Sequence, residues 1–146
     1  MAETVASSRE NVSKGLAAYM AELRQADAGW ERKPEGTADG EAAWTARQVA
    51  EHVAGAGMFF AAGVAGVVGA QAPQMRQFQF ANAAEAIPAS DASYAAFLGV
   101  VDQIKDEQLA IEFEHPRLGK QTVGGIIGLV AYHLNDHANQ LKTLRA

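Results

Sequence analysis

His133 and His137 stand four residues apart in the stretch AYHLNDHANQL. On a helix this spacing sends two imidazoles from one face, about one turn apart. Val130, His133, Leu134, His137 and Leu141 form one strip, bounded by Ile126 and Leu144. The pair therefore faces inward, with the apolar residues. His52 has the same character: it follows Val49 by three residues and precedes Ala56 and Phe59 by four and seven. Three neutral imidazoles from two helices could meet at one point. With further positions open to water or substrate, that donor set suits a catalytic metal rather than a closed structural one. An unpaired polar ring in an apolar setting costs about 1–3 kcal/mol. Coordination would remove that cost. On spacing alone a second reading stands beside it: inward histidines that are hydrogen-bonded in the core of a non-catalytic binding or dimerisation module.

No catalytic acid or base stands out. Glu51 and Asp136 each precede a histidine by one residue and point about 100° away from it on the helix. They read as surface charges, or at best as partners of the ligands. His115 precedes the last helix and could approach the mouth of a site, or simply be solvated. Gln140 lies one turn beyond His137 and could hydrogen-bond near a metal. Tyr19, Tyr94 and Trp30 line an entrance or pack in the core. Phe59 and Phe60 could wall an apolar pocket for a small ligand. There is no cysteine, so thiolate nucleophiles, disulfides and Cys-based zinc sites are excluded. No carboxylate presents itself to complete a metal sphere.

Four helices must position these residues. The first covers about Glu3 to Gln25, with Val5, Val12, Leu16, Tyr19, Met20 and Leu23 at three- and four-residue steps. The connection GWERKPEGTADGEAAW follows. Thr45 caps the second helix and Gln48 stands at capping-box spacing. That helix runs to about Gly69. Gly55, Gly57, Gly63 and Gly66 each cost up to ~1 kcal/mol there, which close packing between neighbours would offset. Residues from Gln71 to Ser90, with Pro73 and Pro88, read as a long crossover. Ser90 or Asp91 then caps a third helix ending near Lys105, its stripe Tyr94, Phe97, Leu98, Val101 and Ile104. Leu109, Ile111 and Phe113 alternate, and HPRLGK reads as a turn, so a short extended pair fits here. Thr122 caps the last helix, which runs to about Leu144. The expectation is an all-α four-helix bundle, one domain over residues 1–146, with a long crossover between helices two and three.

The formal charge is -5, with 20% charged and 49% hydrophobic residues. Such an acidic chain without a basic cluster lacks the footprint of a nucleic-acid binder. The start MAETVASSRENV shows no basic-then-apolar leader, and the expected location is cytoplasmic. Val53 to Ala70 is free of charges, but much of it is Ala and Gly. It reads as a buried helix rather than a membrane span.

The stretch WTARQVAEHV, Trp44 to Val53, resembles the second-helix signature of the DinB/YfiT-like superfamily: Trp, then Ser or Thr, then a histidine eight residues after the Trp. HPRLGKQTVGGIIGLVAYHLNDHANQL, His115 to Leu141, resembles that family's last helix and its lead-in, ending H-x-x-x-H-x-x-Q-L. The resemblance covers essentially the whole chain. It implies an up-down-down-up bundle, often a homodimer. It also implies a divalent metal, zinc or nickel being usual, held by three histidines, which by position are His52, His133 and His137. It implies a small-molecule substrate, in some relatives with a low-molecular-weight thiol, and transferase, isomerase or hydrolase chemistry. It implies no DNA binding.

Overall fold

The computed structural model describes residues 3–36 and 40–146; the part of the first connection at 37–39 lies outside them. Four helices form: α1 (Val5–Leu23), α2 (Ala46–Val68), α3 (Ala83–Val101) and α4 (Val123–Arg145). A two-stranded hairpin, β1 (Glu112–His115) with β2 (Gly119–Thr122), precedes α4. Its antiparallel register sets Glu112 against Thr122 and His115 against Gly119.

Local chemistry explains the starts. Thr4 and Thr45 each accept a backbone N–H three residues on, and the N3 side chain returns the bond, making two capping boxes. Thr122 accepts from Gly125 N–H and opens α4. Gly69, at φ 74°, ends α2 in the left-handed conformation.

The third helix begins earlier than its sequence pattern indicates. Asn82, not Ser90 or Asp91, is the cap, accepting from Glu85 N–H at 3.0 Å. Pro88 lies inside the helix. A proline there forfeits one bond, to the carbonyl four residues before it. The first turn survives because side chains hold it: Asp27, from outside the helix, accepts the Ala83 N–H at 2.9 Å, and Glu85, within the turn, accepts the Ala81 N–H just before it at 2.7 Å. The helix also stops at Val101, short of Lys105.

Contacts between elements give the directions. Arg9 pairs with Asp102 and Val5 N–H donates to Asp106, so α1 starts where α3 ends. Arg145 pairs with Glu22, so α1 and α4 finish together. The early turns of α2 meet the later turns of α4 through histidines. Glu51, near the start of α2, accepts the Phe80 N–H just before α3, at 2.9 Å. The order is up-down-down-up. Residues 69–82 carry the chain back from the end of α2 to the start of α3, and Phe78 and Phe80 bury along the way. Tyr19, Tyr94, Phe97, Ile127 and Leu134 are fully buried in the core between the helices. Tyr19, Tyr94 and Trp30 are thus packing residues, not an entrance.

The glycines of α2 divide. A Cβ on Gly57 would collide with Ser93 Oγ and lie 3.1 Å from the Tyr94 ring, so this glycine sets the α2–α3 spacing. Ser93 Oγ and Tyr94 OH bond across that approach to the carbonyls of Ala54 and Val53. Gly55, Gly63 and Gly66 meet nothing, so the close packing expected at them is absent and their backbone cost stands. Gly57→Ala is expected to destabilise by about 1–3 kcal/mol through overpacking. Gly63→Ala is expected to stabilise by up to ~1 kcal/mol. Urea denaturation of both variants checks the sign of each.

Candidate metal centre

His52 lies in the second turn of α2, while His133 and His137 lie on one face of α4. The three rings converge. His133 Nε2 is 3.1 Å from His52 Nε2 and 3.0 Å from His137 Nε2. Glu41, in the turn before α2, brings Oε1 to 3.7 Å from the Nε2 atoms of both His52 and His137. One ligand atom from each of the four residues falls within 4.8 Å of the others. At Zn–N distances of about 2.0–2.1 Å, nitrogens of a tetrahedral site are about 3.3 Å apart. The two short edges already come within a few tenths of an ångström of that. The group could hold a metal ion.

Tautomers support the same use. Gln140 Nε2 donates to the Glu41 carbonyl at 2.7 Å. That fixes the amide so that its Oε1 faces His137 Nδ1, at 2.8 Å. Nδ1 must then carry the proton, and the Nε2 lone pair is left pointing into the cluster. An outer hydrogen bond that orients a histidine in this way is characteristic of metal ligands. The same glutamine ties the Glu41 turn to α4. Trp44 walls the cluster, its ring 4.8 Å from His52 and nearly parallel to His137 at 6.4 Å.

Burial keeps the His52 and His133 rings neutral. His133 is pushed down to about 4, chiefly by desolvation and then by the neighbouring His137 and His52. His52 is lowered too, first by burial and then by His137; Glu41 opposes the shift and Arg117 adds to it. A histidine whose folded pKa lies below its unfolded value of about 6.5 binds fewer protons folded than unfolded. The metal-free protein should therefore lose stability as pH falls from about 6.5 toward 4, and His133→Gln should flatten that slope. Melting temperatures of chelator-treated samples across this range measure it.

His137 is buried, whereas His52 and His133 are half-buried and open onto a cavity of about 720 Å³. Phe59 and Phe60 wall it, as the sequence indicates. His115 is not solvated: it is 6% exposed, packs edge-on to Phe59 at 5.4 Å and lines the same cavity. All four histidines of the chain therefore belong to the cluster or to the cavity beside it. Glu51 turns away from the metal cluster to hold Arg47 and the Phe80 N–H. Asp136 is exposed.

Glu41 is the residue that the sequence concealed. It sits outside the four long helices, eleven positions before His52, at the start of a single 3-10 turn (Glu41–Ala43). Its one legible signal is the neighbouring Trp44, which the fold places on the same cluster.

The DinB superfamily model matches residues 10–141. The chain belongs to the DinB superfamily. The match spans both histidine-bearing helices, so the DinB assignment and the ring geometry concern the same residues. Comparison with curated proteins and with solved structures finds no match.

Proposed function

We propose that this DinB protein is a metal-dependent enzyme acting on a small molecule, of the thiol-dependent transferase or hydrolase type. His52, His133 and His137 are its metal ligands, and Glu41 adds a fourth donor. The convergence of three Nε2 atoms, one with its lone pair set by Gln140, is the observation that supports this most directly. A bound divalent cation, zinc or nickel, supplies Lewis acidity that lowers the pKa of a ligated water or thiol toward neutrality.

The chain's own residues do the rest. The His52 and His133 imidazoles keep their lone pairs available at pH 7, because burial holds their protonated forms down. Glu41 is the most exposed of the four donors, with a side chain 60% accessible. It is therefore the one able to swing aside for a substrate, or to take a proton at its carboxylate. Phe59, Phe60, Phe78 and Leu129 exclude water from one side of the cavity.

Turnover of a thiol-transfer or ester-hydrolysis substrate in a screen should need added metal and vanish with EDTA. Activity that survives complete chelation rules the proposal out. The proposal extends to a cytoplasmic homodimer using the open Gly63 and Gly66 face of α2. Light scattering that shows a monomer at micromolar concentration removes that part.

A further inference from the structure

The cavity beside the histidine cluster carries charge that the metal reading leaves unused. Three charged side chains line it apart from the histidines: Glu51, Arg76 and Arg117. Glu51 is already spoken for, since Arg47 Nη1 pairs with it at 2.9 Å. Neither Arg76 nor Arg117 forms an ion pair among the described residues. Each instead lies over an aromatic wall, Arg76 Cζ 4.8 Å from the Phe78 ring centroid and Arg117 Cζ 5.4 Å from that of Phe59. Stacking of this kind holds a guanidinium in place while leaving its N–H groups free to donate. In a chain of formal charge -5, two unpaired cations at one apolar cavity are a local reversal.

His115 gives a second, independent pointer to a ligand. Its Nδ1 accepts the backbone N–H groups of Arg117 and Leu118, both at 3.2 Å. The neutral ring therefore carries its proton on Nε2. That Nε2–H finds no acceptor in the described protein, although the side chain is more than nine-tenths buried and lines the cavity. The ring is packed on its other sides, so this donor is left open to a molecule bound in the cavity. The remaining wall is apolar: Phe59, Phe60, Met75, Phe78, Leu118 and Leu129. Met75 is 50% and Leu118 42% exposed, so apolar surface continues to the rim.

We propose that the cavity binds an organic anion with an apolar body, its charged group held by Arg76 and Arg117 and its polar interior atoms met by the His115 Nε2–H. This names the substrate class for the metal site described above and rests on that reading only for the reaction, not for the binding. A carboxylate and a phosphate share the required chemistry.

Two dyes that differ by one charge test it: 8-anilinonaphthalene-1-sulfonate, and N-phenyl-1-naphthylamine, which lacks the sulfonate. Fluorescence titrations should show tighter binding of the sulfonate dye to the wild-type chain. The double variant R76Q/R117Q should weaken the sulfonate dye by about tenfold or more and leave the neutral dye unchanged. Gly55→Trp, at a lining position where a Cβ meets nothing, should block both. Displacement of the sulfonate dye by hexanoate or by hexyl phosphate identifies the anionic group that fits. Equal affinity for the two dyes, an unchanged sulfonate affinity in R76Q/R117Q, or full binding to Gly55→Trp overturns the proposal, as does equal displacement by 1-hexanol. Titrations run with and without metal, and elemental analysis of the same samples reports on the metal reading separately.

Discussion

His133→Ala should abolish metal binding while leaving the helical fold intact. His133 is the hub of the cluster, since both short nitrogen contacts end on its Nε2. Without it, the remaining donor set among the described residues is His52, His137 and one exposed carboxylate, Glu41. The loss in affinity should exceed the ~10–100-fold typical of removing an outer hydrogen-bond partner. Stability gives a second readout. A metal present at 100 times its dissociation constant stabilises the folded chain by about 2.7 kcal/mol, or roughly 5–10 °C in melting temperature for a chain of this size. Wild type should gain that increment on metal addition, and His133→Ala should gain none. The ring is only half-buried, so circular dichroism of the metal-free variant should match wild type. A variant that takes up metal with wild-type affinity would show that the rings converge for another reason.

Gln140→Leu should weaken the metal by about 10–100-fold although it touches no ligand atom. It removes the acceptor for His137 Nδ1–H and the donor to the Glu41 carbonyl together. His137 is then free to place its proton on Nε2, where the lone pair is needed. Gln140→Glu separates the two effects. A carboxylate still accepts from Nδ1 and preserves the tautomer, but it cannot donate to Glu41. Its affinity should fall between wild type and Gln140→Leu in a chelator-competition titration. Leucine is close to glutamine in volume. A role in packing alone would therefore leave Gln140→Leu at wild-type affinity, and that result would remove Gln140 from the account.

The fold and much of the site were legible because they follow from short-range patterns. Thr45 with Gln48 and Thr122 with a following helix are capping rules, and both hold. The four- and three-residue spacings placed the ligand candidates on inward faces, and their rings do meet. The alternation around Phe113 became β1. What escaped depends on tertiary contact. The start of α3 lies earlier than the pattern indicates because Pro88 reads as a breaker; Asp27, Asn82 and Glu85 secure the turn before it, and the Asp27 bond comes from a distant part of the chain. Gly55, Gly63 and Gly66 suggested packed neighbours, but only Gly57 faces one. Glu41 escaped because nothing periodic marks a residue in a turn, and it lies beside the histidines through a tertiary contact, its carbonyl accepting from Gln140. For His115 the sequence leaves two readings, the mouth of a site or solvent; the N–H groups of its own hairpin turn hold the ring at the cavity.

X-ray absorption at the metal edge of untagged protein addresses the central claim most directly. The account predicts a single site whose inner shell holds three imidazole nitrogens, at about 2.0–2.1 Å if the metal is zinc, with one or two oxygens beside them. An edge that is absent, or a shell of oxygens with no imidazole scattering, would contradict it.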